Sequence, residues 1–281
     1  LKGLACGGNE NKDNIVLCLH GWLDNAASFL PLMQHFEDEL IHKRIIAIDW
    51  PGHGNSSHRS VDAHYHFIDW VYDLLQLFEI NQWQQVDIVA HSMGGMIASA
   101  FAAAFPEKVR SLTLLDSIGF ISNKAEQTTQ QLRDGMLSRF KGSTFYTKQR
   151  VANNKRYHAS IESAINARVT VSGLPFEQAK LIVERGLLQE EEGYRWRSDN
   201  RLRNISPYRL TLKQAQQFIR DIKCPVLLIY GSNGIDMVST GIKYFGDLFQ
   251  TFSTVELKGG HHVHMEQPQK TAELIKHFLS N

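Results

Sequence analysis

The stretch VDIVAHSMGGMIASAFAAAFP, from Val86 to Pro106, indicates the fold most directly. An apolar segment runs into Ser92 and continues as a helix of small residues. Ala90 lies two residues before the serine and Gly94 two residues after it, so nothing bulky flanks the serine. An Asn-Gly or Asp-Gly pair would satisfy an ordinary surface turn. The pattern predicts instead a sharp strand-to-helix turn that exposes the Ser92 hydroxyl.

Short β-type runs alternate with helical patterns along the rest of the chain. Most of the runs are apolar throughout, which is typical of a parallel sheet covered on both faces. The predicted strands are Asn14–His20, Arg44–Trp50, Val86–His91, Ser111–Asp116, Pro225–Tyr230 and Phe252–Leu257. Helices are predicted between them, for example at Phe67–Ile80 and Thr271–Leu279. This alternation predicts an α/β fold with a doubly wound, mostly parallel sheet.

One interval, residues 119–218, interrupts the alternation. It is polar and helix-prone, and it contains no convincing strand. An interval of this length is too long for a simple crossover. We therefore expect an inserted helical cap at residues 119–218, above the C-terminal edge of the sheet, and a core made of residues 1–118 and 219–281.

Composition narrows the possible classes of protein. The 281 residues are 43% hydrophobic and carry a formal net charge of +1, which gives no general attraction to nucleic acid or acidic membranes. The apolar run near Met96–Phe105 is too short to span a bilayer. No signal peptide is visible, and the three cysteines favour a reducing, cytoplasmic setting. Because the chain does not begin with Met, we expect a short N-terminal piece to precede it.

Polar loops follow the predicted strands. Chemistry in open α/β sheets gathers at the carboxyl ends of the strands, so these loops are expected to face one crevice. They contain His20–Phe29, Asp49–His58, Ser92, Asp116, Asp236 and Gly259–Pro268.

Four motifs in these loops resemble those of the α/β-hydrolase superfamily, in the same order and spacing. They are LHGW, DWPGHGNS, HSMGG and GGHHVHMEQP, which together span nearly the whole chain. LCLHGWLDNAASF and GYRWRSDNRLR are similar to segments of the serine hydrolase-like group within it. The usual G-x-S-x-G pattern has Ala90 in place of its first glycine, and alanine is small enough to preserve the turn.

The chemistry of a serine nucleophile defines what else is needed. A serine hydroxyl must give its proton to an adjacent base, and histidine suits that role near neutral pH. A carboxylate on the far ring nitrogen fixes the tautomer, and backbone N–H groups stabilise the tetrahedral oxyanion. Ser92 is the expected nucleophile and the Met93 N–H one oxyanion donor. The resemblance points to the Trp22 N–H as the other donor and to His261 as the base.

The sequence identifies the acid of the triad less directly than the nucleophile and the base. In most of the superfamily the aspartate occupies the position that corresponds here to Gly234, which cannot serve. Asp116 ends the preceding strand, where other members supply their acid, and the sheet fixes its backbone. We favour Asp116, with Asp236 as the alternative if the Asn233-Gly234 turn swings it back.

Other polar clusters receive structural interpretations. His262 and His264 are expected to be packing or rim residues, and the loop histidines His53, His58, His64 and His66 to be solvated. Asp49–Gly54 is expected to be a supporting turn. No metal site is predicted, since His261, His262 and His264 lack carboxylate or cysteine ligands at suitable spacing. Arg195, Arg197, Arg201 and Arg203 form either a clamp for an anionic substrate or, as we favour, a salt-bridge network anchoring the cap.

The sequence thus predicts a serine hydrolase acting on a small ester or thioester, with no cofactor. Two alternatives stay open: a C–C bond hydrolase or perhydrolase with the same triad, and a non-catalytic binding protein. The partner is a small-molecule substrate, with no nucleic acid and no membrane span, and the sequence leaves the oligomeric state open.

Overall fold

A seven-stranded sheet forms the centre of the computed structural model, which describes residues 1–8, 14–37, 43–142 and 157–280. The strands are β1 (Lys2–Cys6), β2 (Ile15–Leu19), β3 (Arg44–Asp49), β4 (Val86–His91), β5 (Val109–Leu115), β6 (Leu187–Glu190), β7 (Gly193–Trp196), β8 (Val226–Gly231) and β9 (Phe252–Leu257). The order across the sheet is β1-β3-β2-β4-β5-β8-β9, and every neighbouring pair except β1–β3 is parallel. The predicted α/β class is confirmed.

Helices cover both faces of the sheet. They are α1 (Leu30–Glu37), α2 (Phe67–Asn81), α3 (Met93–Ala104), α4 (Thr128–Gly142), α5 (Ile161–Ser172), α6 (Phe176–Gly186), α7 (Leu212–Asp221), α8 (Asp236–Phe245), α9 (Val263–Glu266) and α10 (Pro268–Leu279). Helices α2, α3, α7 and α8 contribute to one buried cluster, and α1 and α10 to the other. Both β2 and β4 are buried along their whole length, which explains why neither strand alternates between apolar and polar residues.

Strand β1 was not predicted, because its sequence carries little strand signal. Its residues KGLAC are largely exposed, since the strand lies at the sheet edge and, among the described strands, pairs with β3 alone. An edge strand needs no continuous apolar run, and Gly3 lowers the local β-propensity further.

The insertion, defined here as residues 119–211 between β5 and α7, carries the predicted helical segments as α4, α5 and α6. The prediction that it lacks strands is wrong, because β6 and β7 form an antiparallel hairpin around Gly193, whose φ is +130°. These strands are four residues long and only partly buried, so their sequences show no apolar run. Helix α7 crosses the expected boundary at residue 218 and packs against α3.

The insertion has a small core of its own. Ala164 and Ile165 of α5 pack with Ile182 and Val183 of α6, and Met265 of α9 joins them. This packing ties α5 and α6 to the segment that carries His261. In the part of the chain that the structure describes, no helix is long and apolar enough to cross a membrane.

Candidate active site

Ser92 lies at the junction of β4 and α3 in a strained backbone conformation. Its φ is +51° and its ψ −120°, a region that residues with a Cβ rarely adopt. Small neighbours make this possible: a Cβ at Gly94 would clash with the Leu19 carbonyl oxygen. The Ser117 hydroxyl donates to the Ser92 carbonyl oxygen at 2.7 Å and fixes the turn from the β5 side. The predicted sharp turn is present.

The His261 ring connects the Ser92 hydroxyl to a buried carboxylate. Its Nε2 lies 3.0 Å from Ser92 Oγ, and its Nδ1 lies 2.6 Å from Asp116 Oδ2. Nδ1 donates to the carboxylate, which leaves Nε2 able to accept the hydroxyl proton. This is the geometry that nucleophilic catalysis by serine requires.

The structure places Asp116, and not Asp236, beside the His261 ring. Asp116 is fully buried, and its carboxylate accepts the backbone N–H groups of Gly231 at 3.0 Å and Ile235 at 3.3 Å. A Cβ at Gly234 would clash with this carboxylate. Asp236 is exposed as the first residue of α8, and its hydrogen-bonded atom is the backbone carbonyl, which accepts from Ser239.

The loop after β2 passes directly over the serine. A Cβ at Gly21 would lie 3.0 Å from Ser92 Cβ, so the turn that carries the Trp22 N–H is packed against the nucleophile position. Met93 is the first residue of α3, where backbone N–H groups have no partner within the helix. Both amides therefore lie close to Ser92.

Two buried polar residues hold this loop to β3. His20 donates from Nδ1 to the Gly21 carbonyl at 2.7 Å and accepts the Trp50 N–H on Nε2 at 3.0 Å. Burial lowers its pKa, which keeps the ring neutral and able to make both bonds. Asp49 accepts the Ala26 N–H at 2.8 Å and the guanidinium of Arg185 at 2.8 Å. The Asp49–Gly54 segment thus supports the site, as expected.

A second polar cluster lies behind the Ser92–His261–Asp116 chain, and sequence reasoning missed it. Asp24 Oδ2 lies 3.0 Å from His262 Nε2 and 3.5 Å from His91 Nδ1. The Arg168 guanidinium, from α5, contacts Asp24 Oδ1. The four residues of this cluster are far apart in sequence. The only sequence signal that could have indicated the cluster is that His91 is next to Ser92 and His262 is next to His261.

The histidine predictions are partly wrong. His262 and His264 are buried, in line with a packing role, and burial lowers the pKa of His264 well below its usual value. His53 was expected to be solvated, but it is fully buried between His20 and Trp70. Burial lowers its pKa to about 3. Its loop position suggested exposure, but the turn folds inward onto α2.

The cap arginines bind groups of the protein itself. Arg195 pairs with Glu190 across the hairpin, and Arg197 donates to the Leu187 carbonyl. Arg201 binds Asp199 and four backbone carbonyls of the loop at residues 59–63. Arg203 is exposed. These contacts favour the anchoring interpretation for Arg195, Arg197 and Arg201.

A family model described as alpha/beta hydrolase fold matches residues 14–268 of this chain. The chain belongs to this family. A serine hydrolase-like protein of Danio rerio is 29% identical over 99% of this chain and 85% of its own length. Serine hydrolase-like protein 2 of Homo sapiens is 29% identical over 94% of this chain and 86% of its own length.

A solved structure shares the fold of this chain. A hypothetical protein from Pseudomonas aeruginosa PAO1 is 31% identical, with a TM-score of 0.86, and the match covers 99% of this chain and 95% of that one. The resemblance drawn from the sequence motifs is thereby confirmed.

Proposed function

We propose that this α/β hydrolase is a serine hydrolase that cleaves a small ester or thioester through an acyl-enzyme. The observation that carries the proposal is the continuous contact from Ser92 Oγ to His261 Nε2 at 3.0 Å and from His261 Nδ1 to Asp116 Oδ2 at 2.6 Å. The names of the full-length relatives, serine hydrolase-like proteins, support the same class.

In the proposed reaction, Ser92 Oγ attacks the acyl carbon while its proton passes to His261 Nε2. Asp116 holds the ring and stabilises the imidazolium that forms. The Met93 and Trp22 N–H groups stabilise the tetrahedral oxyanion, and the protonated His261 then donates to the departing alcohol or thiol. Water, activated by the same ring, releases the acid. No step requires a cofactor.

A second candidate, hydrolysis of a carbon–carbon bond, rests on one local similarity. A stretch of 78 residues is 37% identical to part of a 2-hydroxy-6-oxo-2,4-heptadienoate hydrolase of Pseudomonas putida. This match covers 28% of each of the two chains. Both reactions use a serine, a histidine and an acid, so the triad alone does not separate them. A non-catalytic binding role is disfavoured because the three side chains are present and in contact.

The nucleophile assignment is tested with a fluorophosphonate probe, which phosphonylates activated serines. Wild type is expected to be labelled and Ser92→Ala is not. Equal labelling of both proteins would end the assignment. A series of p-nitrophenyl esters and acyl thioesters of increasing chain length, compared with a vinylogous β-diketone substrate, then separates ester cleavage from carbon–carbon cleavage.

A further inference from the structure

The turn from Gly21 to Asp24 is both strained and anchored. Leu23 has a φ of +60°, which is unfavourable for a branched side chain, and the Asp24 N–H donates to the Gly21 carbonyl at 3.2 Å. The turn carries the Trp22 amide and packs against Ser92. A strained turn persists only when surrounding contacts fix it, so the contacts of its buried end residue matter.

The Asp24 carboxylate supplies such contacts. Its side chain is 2% exposed and meets His262 at 3.0 Å, His91 at 3.5 Å and the Arg168 guanidinium. Burial alone would raise the pKa of Asp24, but Arg168 and His262 outweigh burial and hold it well below its usual value. His20, His53 and His264 also lie within electrostatic reach of this carboxylate. The charge of Asp24 is therefore balanced chiefly by Arg168.

Arg168 belongs to the insertion, and a second hydrogen-bond partner of this turn also belongs to it. The Trp22 indole Nε1 donates to the Leu202 carbonyl at 3.1 Å, and Leu202 lies in the 3₁₀ turn Asn200–Arg203. The insertion thus holds the turn at two points, one on either side of Leu23. A movement of α5 that withdrew Arg168 would leave a buried carboxylate without its cation, which is strongly unfavourable.

The same donor atoms have the spacing of a metal site, which the presence of Arg168 argues against. One atom each from Asp24, His91 and His262 lie within 4.8 Å of one another. However, the Arg168 Nη2 contacts Asp24 and lies 3.5 Å from His262 Nε2, so the guanidinium is the cation at this place. A divalent ion there would have to displace it against like-charge repulsion.

We propose that Asp24 and Arg168 are positioning residues that hold the Gly21–Asp24 turn, and with it the Trp22 amide, in the geometry required for oxyanion stabilisation. The inference rests on the proposed serine hydrolase function. It makes the insertion part of the machinery that sets the rate.

The test compares Arg168→Met and Arg168→Lys with the matched variant Arg59→Met. Arg59 also pairs with a partly buried aspartate, Asp73 of α2, and its side chain is 20% exposed against 13% for Arg168. Loss of either arginine removes a comparable ion pair, so effects of lower stability appear in both variants. Turnover of a p-nitrophenyl ester and fluorophosphonate labelling rate are measured against pH for each protein.

We expect Arg168→Met to lower kcat about 10- to 100-fold with KM changed less than about twofold, since misplacing a stabilising group by about 1 Å has effects of this size. The acid side of the rate profile shifts to higher pH, because Asp24 takes up a proton more readily without Arg168. Arg168→Lys restores most of the rate, and Arg59→Met leaves the rate profile unchanged.

Three results would overturn the inference while leaving the proposed function intact. They are an unchanged rate and profile in Arg168→Met, equal losses in Arg168→Met and Arg59→Met, or stoichiometric zinc in wild type that is lost in Asp24→Asn. A wild type that is neither labelled nor active refutes the proposed function itself, which is a distinct outcome.

Discussion

Two adjacent histidines each meet a buried aspartate, but only one of them faces a serine. His261 binds Asp116 through Nδ1 and presents Nε2 to Ser92 Oγ. His262 binds Asp24 through Nε2, and its Nδ1 has no hydrogen-bond partner among the described residues. The ring nitrogen opposite the carboxylate thus meets a hydroxyl in one pair and no polar group in the other.

Accessibility separates the two pairs further. The His261 side chain is 23% exposed and that of His262 is 6% exposed, while both carboxylates are buried. A substrate can reach only the first pair. The comparison teaches that a histidine–aspartate contact becomes a candidate general base only when its free nitrogen faces a proton to remove. Where no such proton is in reach, the histidine–aspartate pair only stabilises the fold.

The largest expected effect follows from breaking the first pair. Asp116→Asn should keep the fold but lower the acylation rate about 10⁴-fold, because the amide favours the wrong imidazole tautomer. Single-turnover kinetics with a chromogenic ester measure this step. Asp236→Asn is the control and should stay within about twofold of wild type, since that residue is exposed at the start of α8. A collapse in Asp236→Asn with near-normal acylation in Asp116→Asn would reverse the assignment.

The next effect concerns His91, whose ring lies between the two pairs. Its centroid is 4.6 Å from that of His261 and 4.8 Å from that of His262, and burial lowers its pKa to about 4. The unfolded chain binds this proton below about pH 6.5 and the folded chain does not, so stability falls as the pH decreases from 6.5 towards 4.

Between pH 7 and pH 5, His91 should therefore cost about 2 kcal/mol of unfolding free energy, roughly thirtyfold in the equilibrium. Urea denaturation at both pH values measures the loss. It should shrink by this amount in His91→Gln and stay unchanged in His277→Gln, whose side chain is exposed. An identical pH dependence in all three proteins would show that folding does not lower the pKa of His91.

The smallest effect is expected from breaking the second pair at His262. Asp24 keeps Arg168 in His262→Gln, and the glutamine amide can still donate to the carboxylate, so acylation should fall only about threefold. His261→Gln removes the base and serves as the reference for a full loss. The distinction between the pairs would fail if the two variants lost activity equally, as measured by fluorophosphonate labelling rates.

Local sequence patterns were sufficient to predict much of the fold and the sharp turn at Ser92. The apolar strands and the small residues around Ser92 act through near neighbours, so a single sequence reveals them. His261 required the family resemblance, because three histidines share the segment from His261 to His264. Edge strand β1 and the hairpin β6–β7 were missed, because partly exposed short strands need no apolar run.

Contacts between distant segments set the limit of prediction. Asp116 could be favoured over Asp236 from its place at a strand end, but only the structure shows its carboxylate 2.6 Å from His261 Nδ1. Arg168 lies 144 residues from Asp24, and nothing in the local sequence of α5 marks it as the partner. Long-range ion pairs of this kind depend on how the insertion packs, which periodicity does not encode.

The close approach of Gly234 to the Asp116 carboxylate has a consequence for how such a site can change. A side chain at position 234 would overlap that carboxylate. An acid can therefore occupy position 116 after β5 or position 234 after β8, but the two positions cannot both carry one. Gly234→Asp alone introduces a clash between two negative charges, and Asp116→Gly alone leaves the imidazole without a partner. Moving the acid from one strand to the next therefore needs both substitutions together, because each substitution alone disrupts the contact between the acid and the His261 ring.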